Sequence, residues 1–126
     1  MKKYLYLTML FFIGKLGYTQ QTLKPGDLLF QNLDCGPLCE AIEEVTHGKD
    51  SLKFSHIGLV YIKNDSIYII EAIGKAVVLT PFQEFKSRTK NPLYLGRIKQ
   101  AYSTLIDSAI SFAIKQLGVP YDEPFL

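Results

Sequence analysis

The stretch from Phe54 to Ile73 constrains this chain more than any other. Two runs rich in β-branched and aromatic residues, Phe54 to Ile62 and Ser66 to Ile73, flank Asn64-Asp65. Asn and Asp tolerate the positive φ that a two-residue hairpin turn demands. Such a turn fixes the register, pairing Ile62 with Ile67 and Gly58 with Glu71. Side chains alternate faces along a strand, so Phe54, His56, Gly58 and Val60 share one face, as do Ile67, Ile69, Glu71 and Ile73. His56 and Glu71 then stand diagonally on the same face, with side-chain-free Gly58 between them.

A carboxylate among isoleucines is costly unless a partner satisfies it, and an imidazole is the natural partner. The carboxylate would fix the tautomer and orientation of the ring and stabilise its charged form. That arrangement is the base-and-orienter half of a nucleophilic triad; a His–Glu pair of purely structural meaning is the alternative. For the nucleophile, Ser55 points to the opposite face from His56. Cys35 is the better candidate, because it lies where a helix begins and the dipole favours a thiolate. Cys39 is spaced like a core residue, and both cysteines also read as small buried hydrophobes or as a local disulfide. Cys35, Cys39, His47 and His56 match no zinc spacing, so neither a metal nor a cofactor is expected.

Around the hairpin the chain alternates short elements. Pro25-Gly26 turns into a strand at Asp27 to Asn32, and Asp34-Cys35-Gly36-Pro37 opens a helix with Pro37 at its first position, closed by Gly48. Gly74 allows a bend into Ala76 to Leu79, and Thr80-Pro81-Phe82-Gln83 reads as a capping-box start of a short helix. Leu93 to Lys99 is strand-like, and Ser103 to Leu117 is an amphipathic helix stopped by Gly118. Locally paired strands flanked by helices predict an α+β domain with a mainly antiparallel sheet.

The start of the chain differs in character. Lys2-Lys3, the apolar run Tyr4 to Ile13 and the small residues of Gly17-Tyr18-Thr19 read as a signal peptide over residues 1–19, cleaved before Gln20. The protein is therefore expected to be exported to the periplasm or beyond, where thiols pair or stay buried. No run is long enough for a membrane span. A net charge of +2, with no basic cluster among aromatics, argues against nucleic acid. Oligomeric state is not legible.

Several blocks carry a resemblance: Lys24-Pro25-Gly26-Asp27-Leu28-Leu29-Phe30, Phe54-Ser55-His56-Ile57-Gly58-Leu59-Val60-Tyr61, Ile70-Glu71-Ala72, Leu79-Thr80-Pro81, Gly96-Arg97, and Gln116 through Asp122. In this order they resemble the circularly permuted papain-like cysteine hydrolases, the YiiX/YebB-like branch of the NlpC superfamily. The resemblance implies that His56 is the general base and Glu71 its orienter. It also implies a nucleophilic Cys in a Tyr-Cys-Ser-Glu-like block at the start of a helix after the Pro-Tyr-Asp segment, a block absent from these residues. Residues 20–126 would thus be a papain-like domain missing its nucleophile helix, with Cys35 a second-choice nucleophile.

Three functions are compatible with this reading. One is an exported hydrolase of an amide, ester or thioester, acting on a cell-wall peptide or a lipid-linked acyl substrate, of which this chain is an inactive fragment. Another is a non-catalytic binding module or decayed gene product. The third is acyl transfer of the lecithin–retinol acyltransferase type. Loss of a covering helix would also expose Phe54, Val60, Ile67 and Ile69, predicting low solubility.

Overall fold

A computed structural model describes residues 22–46 and 48–121. The expected signal peptide, His47 and Asp122 lie outside the described residues. Five strands form one antiparallel sheet: β1 (Leu28–Gln31), β2 (His56–Lys63), β3 (Ser66–Ile73), β4 (Ala76–Pro81) and β5 (Tyr94–Gly96), in the order β4-β3-β2-β1-β5. Among the described residues three α-helices accompany it: α1 (Pro37–Val45), α2 (Phe82–Ser87) and α3 (Ile106–Lys115), the last entered through a 3-10 turn at Gln100–Leu105. This is the α+β architecture expected.

The hairpin is built as its turn chemistry dictates. Asn64 and Asp65 have φ of 48° and 59°, the left-handed pair that matches the twist of the two strands. Ile62 pairs with Ile67 and Leu59 with Ile70, so Gly58 falls opposite Glu71. β1 extends the sheet from the other edge of β2, setting Gln31 opposite His56. At its start Asp27 is buried, and Arg97 just past β5 donates to it from Nε and Nη2, each at 2.7 Å. Burial pushes the Asp27 carboxyl up, but these bonds, the Lys24 backbone N–H and the charge of Arg97 outweigh it and hold the group below its ordinary range.

One face of the sheet carries the core. Leu29, Val60 and Ile69 bury there against Phe85 of α2, with Leu23, Ile62, Ile67, Phe82, Leu93 and Leu95 packed around them. Expectation and structure part here. Val60 and Ile69 are fully buried and Ile67 is half-buried, because α2 covers that face. Phe54 precedes β2 and packs against the rings of Phe30 and Tyr94, each with centroids 5.2 Å apart. The apolar surface lies instead on the opposite face and on α3, where Ile57, Leu79 and Phe112 are exposed. α3 docks through Ile110 and through Ile106, which presses on Gly26, and leaves a cavity of about 320 Å³ between Phe112 and the sheet.

Gly58 holds this packing together. A Cβ built there would overlap Ile69 Cγ2 and stand 2.9 Å from Phe85 Cε2. Gly58→Ala is expected to destabilise the domain by about 1–3 kcal/mol through overpacking, read as a lower urea midpoint at unchanged slope.

Candidate active site

His56 begins β2 and Glu71 lies near the end of β3, so the hairpin delivers both to the face covered by α2. His56 Nε2 stands 2.6 Å from Glu71 Oε2. The Glu71 side chain is fully buried, and two further donors reach it: Thr80 Oγ1 to Oε1 at 2.5 Å and Arg88 Nη1 to Oε2 at 2.7 Å. Burial pushes the Glu71 carboxyl up. The hydrogen bonds from His56, Arg88 and Thr80 and the charge of Arg88 outweigh that and bring it down to about 2. Glu71 is therefore a carboxylate at neutral pH. It accepts only, so Nε2 carries the ring proton and Nδ1 is left as the acceptor. The ring is further positioned by Phe85, at a centroid distance of 5.9 Å.

Thr80 and Arg88 escaped the sequence reading. The sequence pattern places Thr80 at a helix cap, yet Pro81 is the residue at the N-cap of α2 and no side chain bonds there. Thr80 belongs to β4 opposite Ile69, diagonal to Glu71, and its hydroxyl serves the carboxylate. The same alternation that paired His56 with Glu71, carried one strand further, could have found it. Arg88 follows α2 by a single residue and has no local pattern that marks it. The signal available was the need of a buried acid for a full positive charge.

The cysteines correct another expectation. Cys35 and Cys39 form a disulfide, with Cα atoms 5.4 Å apart, and a disulfide sulfur is not the thiolate that a nucleophile requires. Gly36, at φ 80°, turns the chain so that Cys35, outside α1, closes on Cys39 within it. Cys35 is thus not a free nucleophile in this structure, although it borders the same cavity as His56.

Two cavities adjoin the imidazole. One, of about 410 Å³, is lined by Leu33, Cys35, Leu38, Cys39, Ile42 and Tyr121 with His56. The other, of about 470 Å³, is lined by Phe30, Ile42, Thr46, Phe54 and Ile57 with His56. α1 forms a wall of both. Among the described residues no Asp, Glu, Lys or Arg lines either one. The segment after α3 closes the far side: Val77 N–H donates to Val119 O, and Tyr121 N–H to Lys75 O at 2.8 Å. Among the described residues no group of three His, Cys, Asp or Glu side chains could hold a metal ion, and no helix is long and apolar enough to cross a membrane.

Comparison with known proteins follows the same lines. A sequence profile of the permuted papain-like amidase enzymes, YaeF/YiiX, matches residues 22–126. The uncharacterized protein YiiX of Escherichia coli strain K-12 is 28% identical over 123 residues, covering 96% of this chain and 56% of that protein. A crystal structure described as metalloprotein yiiX, from Escherichia coli O157:H7, superposes with a TM-score of 0.65 at 28% identity, covering 79% of this chain and 53% of that one. The chain therefore spans about half the length of the relatives it matches. With its antiparallel sheet and flanking helices, it belongs to the permuted papain-like amidase family of YaeF and YiiX.

Proposed function

We propose that the whole protein is an exported thiol hydrolase acting on an acyl substrate, with His56 as general base and Glu71 as its orienter. The observation that carries this reading is the His56–Glu71 contact of 2.6 Å beside a cleft lined largely by apolar side chains among the described residues. A Cys thiol outside the matched stretch would give its proton to His56 Nδ1 and attack the acyl carbon. The leaving amine, alcohol or thiol would take that proton back, and water would then release the acyl group from sulfur. The apolar side chains that line the cleft among the described residues, Phe30, Ile42, Phe54 and Ile57 in one cavity and Leu33, Leu38 and Ile42 in the other, suit a lipid-linked acyl group. The Cys35–Cys39 disulfide supports export, since such bonds persist in oxidising compartments.

In the full-length protein, a long-chain acyl thioester is expected to be turned over faster than a stem peptide. His56→Ala is expected to lower kcat by about 10²–10⁴-fold. Unchanged turnover in that variant would remove the base assignment, and preference for the stem peptide would remove the substrate class. One observation favours a second reading. Cys35 and Cys39, which border the cavity of His56, are held in a disulfide, an arrangement compatible with a non-catalytic acyl-binding module. Ligand binding without turnover by the full-length protein would support that reading.

A further inference from the structure

We infer that the Cys35–Cys39 disulfide is a redox latch on the wall of the cleft. While the bond is closed, α1 is held as a helix beside His56; reduction by a dithiol releases that wall and leaves the sheet intact. The inference needs no assignment of base, nucleophile or substrate. It rests on how little else holds α1. Within Pro37–Val45 the one buried residue is Cys39, itself half of the disulfide. Leu38 and Val45 are exposed, and Ile42 is half-buried where it lines both cavities.

Local chemistry also makes this helix poorly. Its 9 residues fall short of the ~12–15 at which an isolated helix begins to be stable. The N-cap is Gly36, and no side chain caps the first turn. Glu40 precedes Glu43 by three residues and Glu44 by four, spacings at which like charges face each other. Glu43 and Glu44 also lie in the last turn, where carboxylates oppose the helix dipole and no basic residue offsets them. The disulfide supplies what is missing. It joins the residue before the N-cap to the third residue of the helix, and so clamps the first turn covalently, as a capping box does with hydrogen bonds. The core has no share in this bond, since Leu29, Val60, Ile69 and Phe85 come from β1, β2, β3 and α2.

The bond is open to exchange. Cys35 is exposed and Cys39 buried, so an incoming thiolate meets the sulfur of Cys35. Its attack forms a mixed disulfide with Cys35, breaks the bond to Cys39 and leaves Cys39 as a thiolate that takes up a proton. The second thiol of the reductant, as its thiolate, then attacks the reductant's own sulfur in the mixed disulfide and releases Cys35, which is protonated in turn. The protein gains two electrons and two protons, and the dithiol becomes a cyclic disulfide.

Amide hydrogen exchange of the chain itself tests this, with dithiothreitol as the dithiol. On reduction, protection of the amides of residues 40–46 is expected to fall by about 10–30-fold, with those of Val60 and Ile69 unchanged, and to return on reoxidation. Cys35→Ser, which opens the bond with no reductant present, should give the same pattern. Glu43→Lys in the reduced chain should recover part of the lost protection, because it removes a like-charge pair and offsets the dipole. Equal protection of α1 in both redox states would overturn the inference. A loss spread over β2 and β3 would overturn it as well, since the disulfide would then be a staple of the whole domain and not a latch on one wall.

Discussion

Glu71→Gln should cost the domain about 3 kcal/mol at neutral pH, the order expected when one side of a buried pair is removed, and the loss should fade in acid. The carboxyl is brought down to about 2 in the folded protein, from an ordinary value of 4.5. A group depressed on folding contributes stability that is fully present above its unfolded value and lost as pH falls through the folded one. For Glu71 that window runs from about 4.5 to about 2. The parent should weaken steeply across it, and Glu71→Gln should follow a flatter course and converge on the parent at its acid end. The amide fits the volume but removes the charge that compensates Arg88, and breaking a buried pair on one side leaves the other unmatched. Urea unfolding at a series of pH values measures both curves. Parallel curves separated by a constant offset would show that the carboxylate is not the group whose ionisation matters there.

Phe85→Ala should be more damaging still, by about 3–5 kcal/mol. Phe85 is fully inaccessible to solvent and fills the space above Gly58. It packs with Leu29, Val60 and Ile69 and, among the described residues, is the only helical residue at the centre of the core. Its loss would also reach the site, because the same ring touches the surroundings of His56 and supports the guanidinium of Arg88. Its carbonyl accepts from the buried Gln31 Nε2 at 2.9 Å, a bond that needs only the backbone and should survive if α2 stays docked. Phe85→Leu, which keeps most of the apolar volume, should recover more than half of the loss in thermal unfolding. Full loss in both variants would point to the ring itself, not to filled volume.

These effects converge on one small region, where the core and the candidate site share their parts. Gly58 leaves room for Phe85; Phe85 carries Arg88; Arg88 and Thr80 hold Glu71; Glu71 orients His56. α1 and the disulfide stand apart from this set and instead form the wall of the cleft, where Leu38 is exposed and Ile42 faces both cavities. Substitutions in the first group are expected to change stability and the orientation of the base together. Substitutions in the cleft wall should act on the acyl group with little effect on folding.

The sequence by itself determined the hairpin and, through it, the meeting of His56 and Glu71. Asn64-Asp65 can adopt the left-handed turn, the turn sets the register, and the two-residue alternation of a strand places the side chains. Each of these steps is local, so no knowledge of distant packing is needed. Tertiary structure alone decided which face of the sheet is covered. Both faces carry apolar residues, and the short helix α2 settles the matter by planting Phe85 on one of them, which buries Val60 and Ile69 and leaves Ile57 and Phe112 outside. It also decided the fate of Thr80 and Arg88. Their bonds to Glu71 span nine and seventeen residues of chain, distances at which neither turn geometry nor periodicity constrains a contact. The two cysteines fall between these cases. Their spacing permitted a buried pair, a nucleophile or a disulfide, and the backbone turn at Gly36, which brings the Cα atoms within bonding range, chose the last.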